Sequence, residues 1–496
     1  MSRYTYFWSQ HPALLYGISL LLGTYIALIP SVELAIPVIA LFATLVGSPQ
    51  RLILASAVFA VSACGNLCYF SQKTPLEGVF DGTGYFLPAQ IVKTHTGQTV
   101  WKGRVWSLIV AESGERIVSR SAMLKFAKGA TIPRADRLFK VEARWQLRGQ
   151  GRLIGTVEPS AQLQKIAWIP SFAEVRSHLK GAVGDSIDRY FAHPHVRAFM
   201  KGMATGSHDD RQLSYVLGEL GLQHLLAISG FHFAIVASAL QLFLGLFVPP
   251  PRLAHCTLIV LSLYFFYLGW GASVGRAWVM AIVALGARIL HRHDNRLNAL
   301  GVALIVIGLF DPLMVLQLDF QMSFLATGGI LLLMEPCQWA LAYLFPDRPR
   351  DEVRQLTFFD QHLYLLLKAF REAVALLGAV HLPLLPLCFY HFGLFPLIAL
   401  WLNLFFPLCV TIAIWGGLLS LFAWGVSESI ANWGFASVDY ALNWLLSGLF
   451  FIPPQWQVWM RCQLPLGVLL VVLVGVFLVG AWRCAERRDE SWGLLI

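Results

Sequence analysis

The chain has 496 residues, 57% of them hydrophobic and only 13% charged, with a formal charge of +9. A soluble domain carries roughly 25% charged residues, so this composition, with a mean hydropathy of +0.63, excludes an ordinary soluble protein. Many apolar runs approach the roughly 20 residues that cross a bilayer as a helix, which makes the expected class a polytopic α-helical membrane protein.

The charge is not evenly spread. Residues 71–200 hold 19 Lys+Arg against 10 Asp+Glu, which accounts for the whole excess. Such a patch suits a surface that meets phosphates, and it suits anionic lipid headgroups equally well. None of the eight cysteines lies in this stretch, which argues against a disulfide-stapled domain. Cys64 and Cys68 read as small apolar residues on one helix face.

Three apolar runs open the chain, at 12–30, 32–47 and 51–70. No removable signal peptide is read at the start. With Arg3 and Arg51 on the cytoplasmic side, three crossings place residue 71 outside. Residues 84–165 then read as β structure: short, partly alternating segments such as 105–110 and 138–143, separated by Gly-rich or polar turns. About five short strands in some 80 residues suit a small barrel, and an OB-fold fits that size. Lys102, Arg104, Lys125, Lys128, Lys140 and Arg144 supply positive charge for phosphates. Trp106 offers a face for base stacking. Trp101, Phe126, Phe139 and Trp145 read as stacking faces or as core.

Val175, Leu179, Val183, Ile187 and Phe191 recur at four-residue steps, the pattern of an amphipathic helix over 174–200 suited to a membrane surface. Residues 201–220, with Asp209 and Asp210, read as a polar connector. The second apolar block holds runs at 222–247, 255–270, 273–290, 298–311, 313–335, 363–380, 396–423, 433–452 and 464–482. Arg-rich loops after 288 and 348, and the Arg-rich tail, stay inside if 381–395 is a broken or re-entrant piece. That gives about twelve crossings with both termini cytoplasmic. The expected organisation is N-terminal helices over 1–70, a basic β domain over 75–170, an amphipathic helix and connector over 171–220, a helical bundle over 221–485 and a tail over 486–496.

Polar groups within apolar helices are costly and mark a path or an interior. Four clusters stand out: His224, Ser229, Gly230 and His232, the histidines falling broadly on one helix face; Trp270–Arg276; Asp319, Gln321 and Ser323; and the 381–395 break followed by Asn403. Asp319 is a candidate ion-pair partner for Arg276. A buried Arg without such a partner suits an anion such as phosphate. No nucleophile–base pair, metal cluster or G-x-x-x-x-G-K-[ST] loop is visible, so no catalytic residue, metal or cofactor is expected. On residues alone, a transporter of another anionic solute or lipid, or a non-transporting scaffold, explains the clusters too.

The order of motifs resembles the ComEC competence family. Gly221-Leu222-Gln223-His224-Leu225-Leu226-Ala227-Ile228-Ser229-Gly230-Phe231-His232 comes first. Arg276-Ala277 with Met280, Asn298-Ala299-Leu300, Asp311-Pro312, Phe320-Gln321-Met322-Ser323-Phe324-Leu325-Ala326-Thr327 and the 381–407 region follow. The resemblance covers roughly 75–490. It implies an inner-membrane channel that passes single-stranded DNA into the cytoplasm during natural transformation. The β domain would then be an OB-like, extracytoplasmic, DNA-contacting domain, with a narrow wet path near His232, Arg276 and Gln321. Many family members end in a metallo-β-lactamase-like domain. This sequence stops soon after its last apolar run, and His291 and His293 lack the acid–His pair of such a site. The resemblance therefore implies a short form. Its partners would be single-stranded DNA, the membrane, a separate nuclease, receptor or motor proteins that supply the energy, and a second copy of the chain.

Overall fold

The structure, a computed structural model, describes residues 2–71, 78–93, 98–111, 116–127, 132–148, 152–158, 163–206, 210–226, 228–346 and 348–493. The first helices are α1 (Arg3–Gln10), α2 (Pro12–Leu28), α3 (Ala35–Ala43) and α4 (Pro49–Ser71). Pro12 cannot donate to an upstream carbonyl, and α1 and α2 are bent by 96° beside it.

The strands follow as β1 (Val79–Lys93), β2 (Thr99–Val110), β3 (Arg116–Phe126), β4 (Arg137–Arg148), β5 (Arg152–Val157) and β6 (Gln164–Pro170). β1 pairs with both β2 and β4, and β3 runs parallel to β5, so the order β1-β2-β3-β5-β4 closes on itself as a small barrel. β6 adds to the side of β4. The barrel is filled by Phe86, Trp101, Leu124, Phe126, Phe139, Val141 and Trp145. The Trp145 indole reaches the carbonyl of Gly82 at 3.0 Å, which satisfies its one donor inside an apolar core.

Next come α5 (Ala173–Tyr190), α6 (Pro194–Thr205) and α7 (Arg211–Glu219). The single helix expected over 174–200 is thus two helices, because Pro194 starts a new one where its missing N–H costs nothing. The expected connector 201–220 is largely helical. The later part of the apolar face is taken up by the bundle: Ile187, Phe191, Phe199, Leu213 and Leu217 pack against Val410, Phe435, Leu442 and Leu446, while Val175 and Leu179 of the same stripe stay exposed. Buried Asp439 seals the contact, accepting from the backbone N–H of Ala192 at 3.1 Å and pairing with the His193 ring at 2.9 Å.

The bundle continues with α8 (Gly230–Phe247), α9 (Pro250–Leu268), α10 (Ala272–Ile289), α11 (Arg296–Phe310), α12 (Leu318–Leu344), the short α13 (Arg350–Gln355) and α14 (Phe358–Phe392). Strand β7 (Leu394–Pro396) then leads to α15 (Ile398–Trp424) and α16 (Glu428–Phe450). Strand β8 (Trp459–Arg461) pairs with β7, and α17 (Leu466–Gly493) ends the chain. Among the described residues eight helices are long and apolar enough to cross a membrane, or nine with α1 and α2 taken as one bent span. This is the build of a multi-pass membrane protein. The remaining runs of the twelve expected are helical too but fall short of that length or apolarity: the run at 32–47 yields a 3-10 turn and the nine-residue α3, and α11 has fifteen residues. α16 carries Glu428 and Asp439 and is not among the long apolar helices.

The expected break at 381–395 is also corrected. α14 runs unbroken through Pro383 and Pro386 for 35 residues, about 52 Å at 1.5 Å per residue. Pro383 cannot donate to the carbonyl of Ala379, and that carbonyl faces Gly329 of α12, where a β-carbon would collide with it. The neighbouring helix thus shields the group that the proline releases.

α2 and α11 run side by side in the same direction. The side chains of Asn295 and Asn298 both donate to the Gln10 carbonyl at 2.9 Å at their start. Tyr25 donates to the Val315 carbonyl at 2.7 Å near their end. Between these points Gly17 and Gly301 bring the backbones together, and a β-carbon at Gly301 would collide with Ala13 and Leu14. We expect Gly301→Val to cost about 1–3 kcal/mol through overpacking, visible as a lower midpoint of thermal unfolding in detergent.

Asp210 caps α7, accepting from the Leu213 N–H at 3.0 Å, and meets the His195 ring at 2.7 Å. Burial alone would raise its pKa, but these hydrogen bonds and the His195 charge outweigh burial and hold it below the usual 3.8. A depressed carboxylate stabilises the fold above its unfolded pKa and stops doing so as the pH falls through the folded value. A loss of stability below pH 3.8 is therefore expected in wild type, and Asp210→Asn should remove that step from the pH dependence of thermal unfolding.

Candidate substrate path at the barrel end of the bundle

Helix α8 starts later than the apolar run suggests. Ser229 accepts from the His232 N–H at 3.4 Å, and the His232 ring accepts from the Ser229 N–H at 3.1 Å, a reciprocal cap. Because Nδ1 of His232 accepts that bond, the neutral ring carries its proton on Nε2. His224 therefore does not share a helix face with His232. It sits in a 3-10 turn before the helix, while His232 lies in the first turn of α8 and is buried. Ala227 lies outside the described residues.

Gly230 has a specific physical role. The guanidinium of Arg276, one turn into α10, lies directly against its α-carbon, where any β-carbon would collide with Nη2. Arg276 is buried, with 8% of its surface exposed. Its Nε donates to the Ser323 hydroxyl at 2.9 Å, Nη1 reaches the Met280 sulfur at 3.7 Å, and the group lies 6.0 Å from the Phe324 ring centre. The Arg276–Asp319 pair is not formed: Asp319 is exposed in the first turn of α12. Among the described residues no carboxylate pairs with Arg276, so its neighbours are a hydroxyl, a thioether, a ring face and a glycine backbone.

Gln321 and Ser323 are two residues apart on α12 and so point to opposite sides. Ser323 meets Arg276. Gln321 donates to the Tyr25 hydroxyl at 2.8 Å and accepts from His391 Nε2 at 2.9 Å. Gln321, Tyr25 and His391 edge a cavity of about 910 Å³ whose other walls are largely leucines of α2, α12, α14 and α17. That lining does not suit a phosphate path, so Gln321 is parted from the Arg276 cluster. Asn403 stands in α15 with its Oδ1 buried and without a hydrogen-bond partner among the described residues. Gly221, in the left-handed region at φ 69°, lies against Ala399 and Pro396, which joins the motif's first turn to the start of α15.

All these groups lie toward one end of the bundle, the end that carries the barrel. Lys180 of α5 donates to the Leu268 carbonyl at the end of α9, and Arg104 of β2 pairs with Asp311 at the end of α11 at 2.7 Å. Arg104 is thus engaged with the bundle rather than displayed as a free cation, a bond that its position on an outward strand face does not reveal. Lys102, Trp106 and Lys125 are exposed, Lys140 is half-buried, and Arg144 is exposed beside Asp81 at 3.5 Å and Glu158 at 3.4 Å. Lys128 falls outside the described residues. Trp101, Phe126, Phe139 and Trp145 are core and cannot stack on a ligand. Arg176 and Lys180, outside the expected site, stand at this end of the bundle, whereas Tyr25 and His391 go with Gln321 to the leucine-lined cavity. The cations on α5 were visible in the sequence only as the polar side of an amphipathic helix.

Fold and site together define a multi-pass membrane protein with a basic β-barrel on one end of its bundle and, beneath it, a buried arginine with no carboxylate partner among the described residues. The chain belongs to the competence protein family, whose sequence model matches residues 204–485. It is similar to ComE operon protein 3 of Bacillus subtilis (strain 168), at 26% identity over 232 residues, 46% of this chain and 26% of that protein. The match therefore spans about a quarter of the curated relative. No solved structure matches the chain.

The contact between Gly230 and Arg276 sets a test. Gly230→Ala should displace the guanidinium from Ser323 and lower stability by about 1–3 kcal/mol, as overpacking of a filled site does. Thermal unfolding of the purified protein measures the loss, and an unchanged midpoint would show that the site has room to adjust.

Proposed function

We propose that this chain is the inner-membrane conduit through which single-stranded DNA enters the cytoplasm during natural transformation. Membership of the competence protein family carries this reading, and the similarity to a ComE operon protein supports it. The closed strand order β1-β2-β3-β5-β4, with β3 parallel to β5, supports an OB-like reading of the barrel, a fold that serves oligonucleotides. Arg3 and Arg51, bonded to Glu486 and to the Thr5 carbonyl, sit at the end of the bundle away from the barrel. Positive residues in short loops favour the cytoplasm. Both termini then lie inside, and the barrel faces the extracytoplasmic side.

The chemistry follows from the cation. A guanidinium at membrane depth without a carboxylate is poised for a passing phosphate, which it meets with strong charge-assisted hydrogen bonds. Ser323 accepts from it, and the Ser229–His232 cap sets the glycine beside it, without cancelling its charge. One such group permits transit, because a path must bind weakly enough to release. DNA capture belongs to the barrel, through Lys102, Lys125, Lys140 and Trp106.

Labelled DNA that becomes nuclease-protected in the cytoplasm reports entry. Cells lacking the chain should bind DNA outside and import none. Arg276→Ala, at normal protein level, should lower entry to that background, and Arg276→Lys should restore part of it. Wild-type entry in the Ala variant removes Arg276 from the path. Entry that does not depend on the chain assigns the bundle to another anionic solute.

A further inference from the structure

Helix α5 lies across the seam between barrel and bundle. Arg176 and Lys180, four residues apart, share one face of it. Arg176 Nη1 donates to the Ala89 carbonyl of β1 at 2.7 Å, and its guanidinium lies 5.0 Å from the Phe266 ring centre of α9. Lys180 donates to the Leu268 carbonyl at 3.0 Å. Both cations therefore hold backbone carbonyls, and neither has an acid among the described residues. The nearby acids are committed elsewhere: Asp311 to Arg104 at 2.7 Å, and Glu174 to the Ala135 N–H at 3.1 Å and to His178 at 3.3 Å.

The seam is thus over-supplied with positive charge. Burial, with Arg176 and Lys102 adding repulsion, pushes the Lys180 ammonium down to about 8. Arg176 Nε is buried without a hydrogen-bond partner among the described residues. Arg176 and Lys180 are like charges with no acid among the described residues, and an anion relieves both their repulsion and the unmet donor. Trp270 stands in the link between α9 and α10, just beyond Leu268, 42% exposed and 6.0 Å from the Phe310 ring. Arg104, on the same outward face of β2 as Lys102, reaches the Phe310 carbonyl at 3.4 Å. Cations beside an exposed aromatic are the equipment that binds single-stranded nucleic acid, by phosphate contact and base stacking. α10 begins two residues after Trp270, and Arg276 lies about 6 Å farther along its axis at 1.5 Å per residue.

We propose that Lys102, Arg176 and Lys180, with Trp270 beside them, form a phosphate-binding site for single-stranded DNA at the seam, where the strand passes from the barrel to Arg276. The proposal rests on the DNA-conduit reading and adds its point of transfer. Recognition here is by backbone charge and stacking, so it is indifferent to sequence.

The test uses the full chain in nanodiscs of zwitterionic lipid and a fluorescent oligothymidylate, with affinity measured by anisotropy across a salt series. Each phosphate contact on a single strand contributes about −0.7 to the slope of log K against log salt. Arg176→Gln with Lys180→Gln should flatten the slope by about 1.4, the sum of two contacts. Arg176→Lys with Lys180→Arg should keep the wild-type slope, and Trp270→Ala should weaken binding with the slope unchanged. Thermal unfolding identifies any variant that fails to fold, and the charge-keeping pair then carries the comparison with wild type. A Gln pair that folds and keeps the wild-type slope overturns the proposal while chain-dependent uptake leaves the conduit intact. Wild-type protein that binds no oligothymidylate, in cells whose uptake ignores the chain, overturns both. Anionic lipid that abolishes oligothymidylate binding in wild type but has no such effect on the Gln pair assigns the site to a lipid headgroup and likewise overturns it.

Discussion

The structure turns on one unneutralised guanidinium in an apolar bundle. Arg276 is buried and finds no carboxylate among the described residues, so its surroundings must hold it without cancelling it. Each helix near it contributes for that reason. α8 supplies a glycine so that the guanidinium can lie close against the backbone, and the Ser229–His232 cap fixes where that glycine sits. α12 supplies the Ser323 hydroxyl as acceptor. A charge in this setting costs the fold free energy rather than stabilising it.

The second organising feature is the attachment of the barrel. Its interior is closed and filled by aromatic side chains, so nothing passes through it. Its contribution is its outer surface, and the seam brings that surface to the bundle at the ends of α9 and α11. Charge on β2 is divided by this docking: Arg104 fastens the barrel to Asp311, while Lys102 stays exposed two residues away. Helix α5 ties β1 to the end of α9 across the seam, and α6 and α7 are buried against α15 and α16. The positive excess of residues 71–200 thus lies on, and next to, the barrel-bearing end of the bundle.

Much of this was legible in the chain. Alternating short strands with Gly-rich turns marked the β domain, and long apolar runs marked most of the helices. Ser229, Gly230 and His232, then Arg276 and then Ser323 came from three of the four polar clusters, and the fold brings them together. Other readings failed for identifiable reasons. The prolines at 383 and 386 looked like a break, but proline in a membrane helix is tolerated when a neighbour covers the freed carbonyl, as Gly329 does. Asp319 looked like the partner of Arg276, yet it begins α12 and faces outward. Gln321 belonged to the expected path, but the two-residue offset from Ser323 turns it toward Tyr25 and His391.

By itself the sequence determined the class of the protein: hydrophobicity, run length and the placement of charge are local properties that a bilayer reads directly. It also determined which side chains were too polar for their surroundings. Only the tertiary structure decided what those side chains meet. Arg276 and Ser323 are 47 residues apart, Arg104 and Phe310 are 206 apart, and Arg176 gains its place from a strand and a helix that come together only in the fold. Whether a buried cation is neutralised, shielded or left available depends on such distant partners, and no local pattern of residues encodes them.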